Sequence, residues 1–240
     1  MLLNMAFIIK DTKLNVAKTD IFHDEAGYAA FPTAESVVFD REKLIPIGLL
    51  SFNMFDASID DKILIALPNL QGIPDGDYGP ITYSYIDEQQ GWCLDDEYAN
   101  DDTLEEQDEY LDNYQQAQDE FAANKCLMRR DKKLPLITLG GQPRFGQNWA
   151  SCLYNELAKN PELDHYYEVT CSLNHPEFEH MSTRDIVYLD QKDNKEYTFI
   201  GSFKDEAYLV RDSEYLGFAG EFMVFYQPEL KKVMLVAEYD

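Results

Sequence analysis

Short apolar runs rich in Ile, Val, Phe and Tyr recur along both ends of the chain and are separated by Gly, Pro and Asp. Runs of this length and composition predict β-strands joined by turns. The candidate strands are Ala6–Lys10, Ser36–Asp40, Ile47–Met54, Lys62–Leu67, Pro80–Ile86, Leu134–Leu139, Tyr166–Leu173, Ile186–Leu189, Tyr197–Phe203, Ala207–Val210, Glu221–Tyr226 and Lys232–Glu238.

The middle of the chain has the period of a helix instead. Thr103 and Glu106 have the spacing of a capping box, which predicts that a helix begins after Thr103. A single apolar stripe follows, and the opposite face is acidic. The stripe consists of Tyr110, Leu111, Tyr114, Ala117, Phe121 and Ala122. A second, shorter helix is predicted around Gln147–Lys159.

These elements predict an α+β fold with mostly short antiparallel strands in two packed halves, a long acidic helix and one shorter helix. A chain of 240 residues is long enough to bury its own core. We expect a single compact domain with two pseudo-halves, residues 1–94 and 134–240, joined by the acidic helical segment 95–133.

The charge of the chain restricts its partners. Twenty Lys and Arg against 45 Asp and Glu leave a net charge of -25. Such a field repels nucleic acids and anionic membranes and attracts cationic proteins. The mean hydropathy of -0.42 argues against a membrane protein. The apolar start, residues 1–9, lacks the basic residue and cleavage site of an export signal, so we expect a cytoplasmic protein.

The negative charge is concentrated between Lys62 and Lys125, where sixteen Asp and Glu occur without any Lys or Arg. Clustered like charges repel one another and destabilise the fold. The segment is either an ordinary solvated acidic helix or a surface that steers a basic protein, imitates a phosphate track or holds divalent cations weakly. The candidate partner-binding residues are Asp95, Asp96, Glu97, Tyr98, Asp101, Asp102, Glu105, Glu106, Asp108, Glu109, Tyr110, Asp112 and Tyr114.

Motifs for catalysis or metal binding are absent from the sequence. The cysteines form no CxxC pair, and there is no EF-hand loop, nucleophile elbow or Walker loop. His175 and His180 are not at the spacing of a helical zinc pair. We therefore predict no metal, no cofactor and no catalytic residues. A hydrolase or transferase that uses Glu177 or Asp185 with His180 is the alternative.

The basic run Lys125–Lys133 follows the acidic segment directly. Lys and Arg near the C-terminus of a helix interact favourably with its dipole and with neighbouring carboxylates. We interpret this run as a local offset of the acidic helix. A phosphate or nucleic-acid site is a weaker alternative, because the run has no interleaved aromatic residues.

Three segments resemble the YwqG-like bacterial proteins. They are Gly48–Asp56, Leu139–Gln147 with its Gly-Gly-x-Pro element, and Leu216–Leu230 with Gly217-Phe-Ala-Gly220. The resemblance implies a strand-rich α+β fold with a C-terminal hairpin, and it carries over no catalytic residues. Phe218 stands where the family pattern has an acid, and the acidic helix is a further departure. Proteins of this general kind can occur beside secreted toxins, which implies an immunity role by analogy.

The function predicted from the sequence is therefore non-enzymatic binding of a basic protein, with a toxin-neutralising immunity protein as the leading form. Acidic residues would steer the cationic partner, and tyrosines such as Tyr98, Tyr110 and Tyr114 would anchor it. The alternatives are an enzyme of unknown substrate and an inhibitor that mimics nucleic acid.

Overall fold

The computed structural model describes residues 5–10, 16–68, 81–95, 104–129, 131–141, 185–190, 195–208 and 220–239. Within these ranges the chain forms one α-helix, α1 (Leu104–Asn124), two 3-10 turns (Phe52–Met54 and Asp205–Ala207) and fourteen strands. The strands are β1 (Met5–Lys10), β2 (Thr19–Ile21), β3 (Tyr28–Ala30), β4 (Leu44–Ser51), β5 (Lys62–Pro68), β6 (Ile81–Tyr85), β7 (Trp92–Leu94), β8 (Leu127–Arg129), β9 (Lys132–Leu134), β10 (Ile137–Leu139), β11 (Asp185–Asp190), β12 (Lys195–Lys204), β13 (Gly220–Gln227) and β14 (Lys232–Tyr239).

The largest sheet contains nine strands and is antiparallel throughout. Its main path runs β1-β11-β12-β13-β14-β6-β7, while β10 pairs with β12 and β2 pairs with β10. The expectation of mostly antiparallel strands is confirmed. Strands from the first and last parts of the chain share this sheet, since β1 pairs with β11 and β14 pairs with β6. The proposed division into pseudo-halves stays a prediction.

A second sheet has the order β3-β4-β5 and supplies much of the core. Residues 63–68 of β5 are buried without interruption, which explains the continuous apolar run in the sequence. Tyr83 joins this sheet to the larger one: its hydroxyl donates to the Leu64 carbonyl oxygen at 2.8 Å and accepts from the Ala66 amide at 3.1 Å. The outer edge of β5 is therefore capped by a side chain from β6.

Both faces of β13 are apolar and buried. Phe222, Val224 and Tyr226 belong to the main core, whereas Met223 and Phe225 alternate with them and are also buried. Phe225 lies opposite Met234 of β14. A strand with two buried faces reads as an unbroken apolar run, and this is how β13 appears in the sequence.

Helix α1 rests on the core through Tyr114, Ala117 and Phe121, which are buried. The Phe31 ring lies 5.7 Å from the Tyr114 ring and 5.2 Å from the Phe121 ring. The predicted stripe is narrower than expected, because Leu111 and Ala122 are exposed. These three inward-facing side chains therefore pack the second half of the helix against the core.

Other boundaries differ from the sequence prediction for local reasons. The predicted strand Leu134–Leu139 is split at Pro135, which cannot donate to a ladder, so β9 ends at Leu134 and β10 begins at Ile137. Residues 36–40 form no strand: Ser36 and Val37 donate to the Thr33 carbonyl in a turn, and Phe39 makes a single bridge to Trp92.

Of the remaining predicted elements, some have different bounds in the structure and others lie outside the described residues. Residues 205–207 form a 3-10 turn where a strand was predicted to begin, and the 3-10 turn at 52–54 ends the predicted strand Ile47–Met54 early. The predicted helix Gln147–Lys159 and strand Tyr166–Leu173 lie outside the described residues. Across the described ranges, no helix has the length and apolar character needed to cross a membrane.

Candidate partner-binding surface

The thirteen predicted contact residues fall into three groups. Asp96, Glu97, Tyr98, Asp101 and Asp102 lie outside the described residues. The first two turns of α1 contain Glu105, Glu106, Asp108, Glu109 and Tyr110. The side chains of Asp95, Asp112 and Tyr114 are described, and they have different surroundings.

Asp95 directly follows β7 and contacts β6 and β14. Its carboxylate does not form part of an open acidic surface. Its carboxylate accepts hydrogen bonds from Thr82 at 2.5 Å and Ser84 at 2.9 Å, both on β6. Lys232 of β14 lies 3.1 Å from the same carboxylate. The backbone amide of Asp95 also donates to the Thr82 carbonyl oxygen. These partners contact both carboxylate oxygens and give Asp95 a structural role, while its predicted contact with a partner stays a prediction.

Tyr114 is a core residue and cannot anchor a partner at the surface. It is 8% exposed, and its hydroxyl donates to the Pro46 carbonyl oxygen of β4. Gln118 donates to the same hydroxyl oxygen at 3.2 Å. Burial raises the pKa of Tyr114, because the phenolate would lose its hydration. The tyrosine anchor predicted at this position is therefore wrong.

The outward side of α1 is polar and open. Asp112, Gln115, Gln116 and Asp119 are exposed, and Gln115 donates to the Asp119 carboxylate at 3.0 Å. Leu111 is 43% exposed, which gives this side of the helix an apolar side chain in contact with water. Sequence reasoning placed Leu111 in the inward stripe and so missed it as a surface residue.

Helical periodicity extends this outward side toward the start of α1. Positions 105, 108, 112 and 119 all fall opposite the inward positions 114, 117 and 121. Glu105, Asp108, Asp112 and Asp119 occupy them. We call these four residues the carboxylate row. At 1.5 Å per residue the row spans about 21 Å.

The end of α1 is fixed by two contacts. Lys125 adopts a left-handed conformation (φ 57°), and its amide donates to the Phe121 carbonyl oxygen at 2.8 Å. This is the αL type of helix ending. The Glu120 carboxylate accepts from the Met128 amide at 2.6 Å and ties β8 back to the helix. The chain then turns into the hairpin β8–β9, whose Lys132 and Lys133 are exposed.

Three cations of the basic run, Lys125, Lys132 and Lys133, have described side chains. Among the described residues, the structure gives Lys125, Lys132 and Lys133 no ion pair. The interpretation of the run as a local offset of the helix carboxylates stays a prediction, because the side chains of Arg129 and Arg130 lie outside the described part of the chain.

Most of the candidate catalytic groups cannot be placed in the described part of the chain. No group of three or more His, Cys, Asp or Glu that could hold a metal occurs there. His175, Glu177 and His180 lie outside the described residues, and Asp185 is in β11. Cys93 and Cys126 are free thiols. Burial, with Asp40 nearby, raises the pKa of Cys93, which disfavours its reactive thiolate.

Comparisons of the chain with protein-family models, with curated proteins and with solved structures found no match. The resemblance to the YwqG-like proteins therefore stays a prediction from the three quoted segments. The candidate partner-binding surface is therefore the outward side of α1, which contains the carboxylate row and Leu111.

Proposed function

We propose that the chain is a non-enzymatic binding protein that recognises a basic protein partner through the carboxylate row of α1. The observation that carries the proposal is the placement of this acidic helix. Its inward side is held by Tyr114 and Phe121, while Asp112 and Asp119 on the outward side are exposed.

The composition of α1 suits electrostatic steering. The helix contains carboxylates in every turn of its first half and no Lys or Arg. Clustered surface charge of one sign raises the association rate of an oppositely charged partner by about 10- to 1000-fold. The second half of α1 is anchored by packing and by the contacts at its C-terminal end. The helix backbone that carries Asp112 and Asp119 is therefore held in place before binding, which lowers the entropy lost on association.

Leu111 supplies an apolar contact next to the row. Interfaces combine a water-excluding apolar centre with a polar rim, and charged rims mainly affect association rates. Leu111 replaces Tyr114 in this role, since Tyr114 is buried. We expect the partner to have a cationic cleft or patch with an exposed apolar side chain beside it.

The most consistent biological form of this function is a cytoplasmic immunity protein that neutralises a basic bacterial toxin by direct contact. The support for the toxin is the resemblance to YwqG-like proteins, and the support for a basic partner is the charge of the chain. A partner with net positive charge is attracted to a chain of net charge -25.

The test uses a four-fold neutral variant with Glu105→Gln, Asp108→Asn, Asp112→Asn and Asp119→Asn. The proposal predicts that a basic toxin is encoded beside the gene, and the association of the variant with that toxin is measured at low and high salt. We expect the association rate to fall about tenfold at low salt and to lose most of its salt dependence, while the dissociation rate changes little.

The matched control neutralises four exposed carboxylates elsewhere, with Glu25→Gln, Glu35→Gln, Asp60→Asn and Glu88→Gln. It removes the same net charge, so it separates the row from the overall field. Equal loss of association rate in both variants, or no binding of the neighbouring toxin by the wild-type chain, contradicts the proposal.

A further inference from the structure

The largest sheet has a second buried face, on the side away from the main core. Along β13, residues that belong to the main core alternate with residues that do not. Strand alternation and the cross-strand register place residues of β12 and β14 beside the second group, because directly opposed residues share a face. We call six of these residues, each at most 5% exposed, the second face. They are Tyr197, Phe199, Met223, Phe225, Met234 and Val236.

The described elements outside this sheet pack on its other side. The three-stranded sheet, α1 and β8 all contribute side chains to the main core. The rings of Tyr114 and Phe121 on α1 pack on Phe31, which is a main-core residue. A sheet face loses its contact with water only when another layer packs on it. The second face therefore needs a cover from outside the described ranges.

The length of the chain outside those ranges favours one stretch. Residues 142–184 are the longest such stretch, with 43 residues, while 69–80 and 209–219 have 12 and 11. Residues 69–80 contain three Gly and two Pro, which is the composition of a loop. Residues 209–219 follow directly on Tyr208, which is buried in the main core, so they begin on the other side of the sheet.

The two ends of residues 142–184 meet the sheet beside the second face. Leu139 of β10 lies opposite Gly201, and Val187 of β11 lies opposite Thr198. Both strands pair with the same edge of β12, because β13 occupies the other edge at these positions. At about 3.3 Å per residue, the two attachment points are roughly 10 Å apart along β12. Phe199 of the second face lies between them.

The chain leaves β10 by a sharp turn at this point. Gly140 and Gly141 both have a left-handed φ, of 66° and 77°. A Cβ at Gly140 would lie 2.5 Å from the Val16 carbonyl oxygen, so a larger residue would clash there. Two consecutive left-handed residues end the extended strand conformation at once. The stretch 142–184 therefore starts from a fixed point at the edge of β12.

The sequence of this stretch suits an apolar sheet face. The helix predicted around Gln147–Lys159 has Trp149, Leu153 and Leu157 at intervals of four residues, which places them on one side of that helix. Since neighbouring strands lie about 4.8 Å apart, the three strands of the second face extend over about 10 Å. A helix of this length, about 20 Å, can cross all three.

We propose that residues 142–184 pack on the second face of the largest sheet, with Trp149, Leu153 and Leu157 directed toward it. The sheet is then covered on both sides, which explains why β13 has an unbroken apolar sequence. The inference does not use the carboxylate row, so it stands or fails independently of the proposed function.

The experiment is hydrogen–deuterium exchange of the full chain, read by mass spectrometry of its peptides. In the wild type, amides of residues 147–159 should exchange more slowly than those of an unfolded peptide, because a docked segment opens rarely. Phe225→Leu removes a ring from the second face and should speed exchange in residues 142–184 about tenfold. The matched control is Phe222→Leu, the same change on the main-core face of β13, which should leave exchange in 142–184 at the wild-type rate.

Circular dichroism checks that each variant is folded. If Phe225→Leu does not fold, Met223→Ala replaces it, since Met223 is on the same face. Wild-type exchange throughout residues 142–184 that is as fast as in an unfolded peptide overturns the proposal. Equal acceleration of this stretch by both Phe variants overturns it as well. An effect of Phe225→Leu on residues 209–219 in place of 142–184 would assign the cover to that shorter stretch and also overturn it.

Discussion

Two residues of one predicted acidic surface have opposite roles once their surroundings are known. Asp95 is enclosed by Thr82, Ser84 and Lys232, while Asp112 is exposed on α1. Both are carboxylates without a nearby basic residue in the sequence. Lys232 follows Asp95 only after more than half the chain, so no local pattern could indicate this pair.

This contrast predicts different effects on stability. Asp95→Ala removes the acceptor of Thr82, which is 8% exposed, and should lower the free energy of unfolding by about 1–3 kcal/mol. The ion pair with Lys232 adds little, because both side chains are partly exposed. Asp112→Ala should change the free energy by no more than about 0.5 kcal/mol. Urea denaturation of both variants measures the difference, and equal values contradict the structural role of Asp95.

Some contacts between secondary-structure elements depend on a single side chain. The clearest example is Tyr83, whose hydroxyl joins the two sheets. Tyr83→Phe removes the hydroxyl that serves the Leu64 carbonyl and the Ala66 amide, and leaves both unpaired in a buried site. We expect a loss of about 2–4 kcal/mol of unfolding free energy. Tyr85→Phe on the same strand is the control, since no hydrogen bond of the Tyr85 hydroxyl is present among the described residues. Thermal and urea unfolding should show little change for Tyr85→Phe. A similarly small effect of Tyr83→Phe would contradict the role of the Tyr83 hydroxyl in joining the two sheets.

The sequence predicts individual elements better than their pairing. Strands with a strong apolar run, such as β5, β13 and β14, lie within one or two residues of the predicted bounds. The three-residue strands β2, β3 and β7 were missed, because each is too short for a periodic pattern. The carboxylates of α1 were visible in the sequence, but the burial of Tyr114 and the exposure of Leu111 depend on how the helix meets Phe31 and Pro46.

At the scale of the whole molecule, five buried tyrosines make the free energy of unfolding depend on pH in the alkaline range. Burial is the main cause that raises the pKa of Tyr28, Tyr83, Tyr114, Tyr208 and Tyr226, and the Asp61 carboxylate adds to it at Tyr226. The folded chain keeps these protons when the unfolded chain releases them. Stability from this source is therefore complete below a pH of about 10 and falls as the pH rises above it.

Each such tyrosine should lower the unfolding free energy by about 1.4 kcal/mol per pH unit in that range. The five should ionise together with unfolding, so part of the tyrosinate absorbance should rise in step with the loss of near-ultraviolet circular dichroism. Complete ionisation of all tyrosines while the aromatic dichroism persists would contradict their burial.

The position of β14 between β13 and β6 has a consequence for synthesis. Residues 81–85 cannot complete their pairing until residues 232–235 have left the ribosome. At typical translation rates the intervening stretch takes roughly 7–30 s to make. During that interval the nascent chain exposes an apolar strand edge, so its yield in the cell should depend on holdase chaperones more than on the stability of the finished protein.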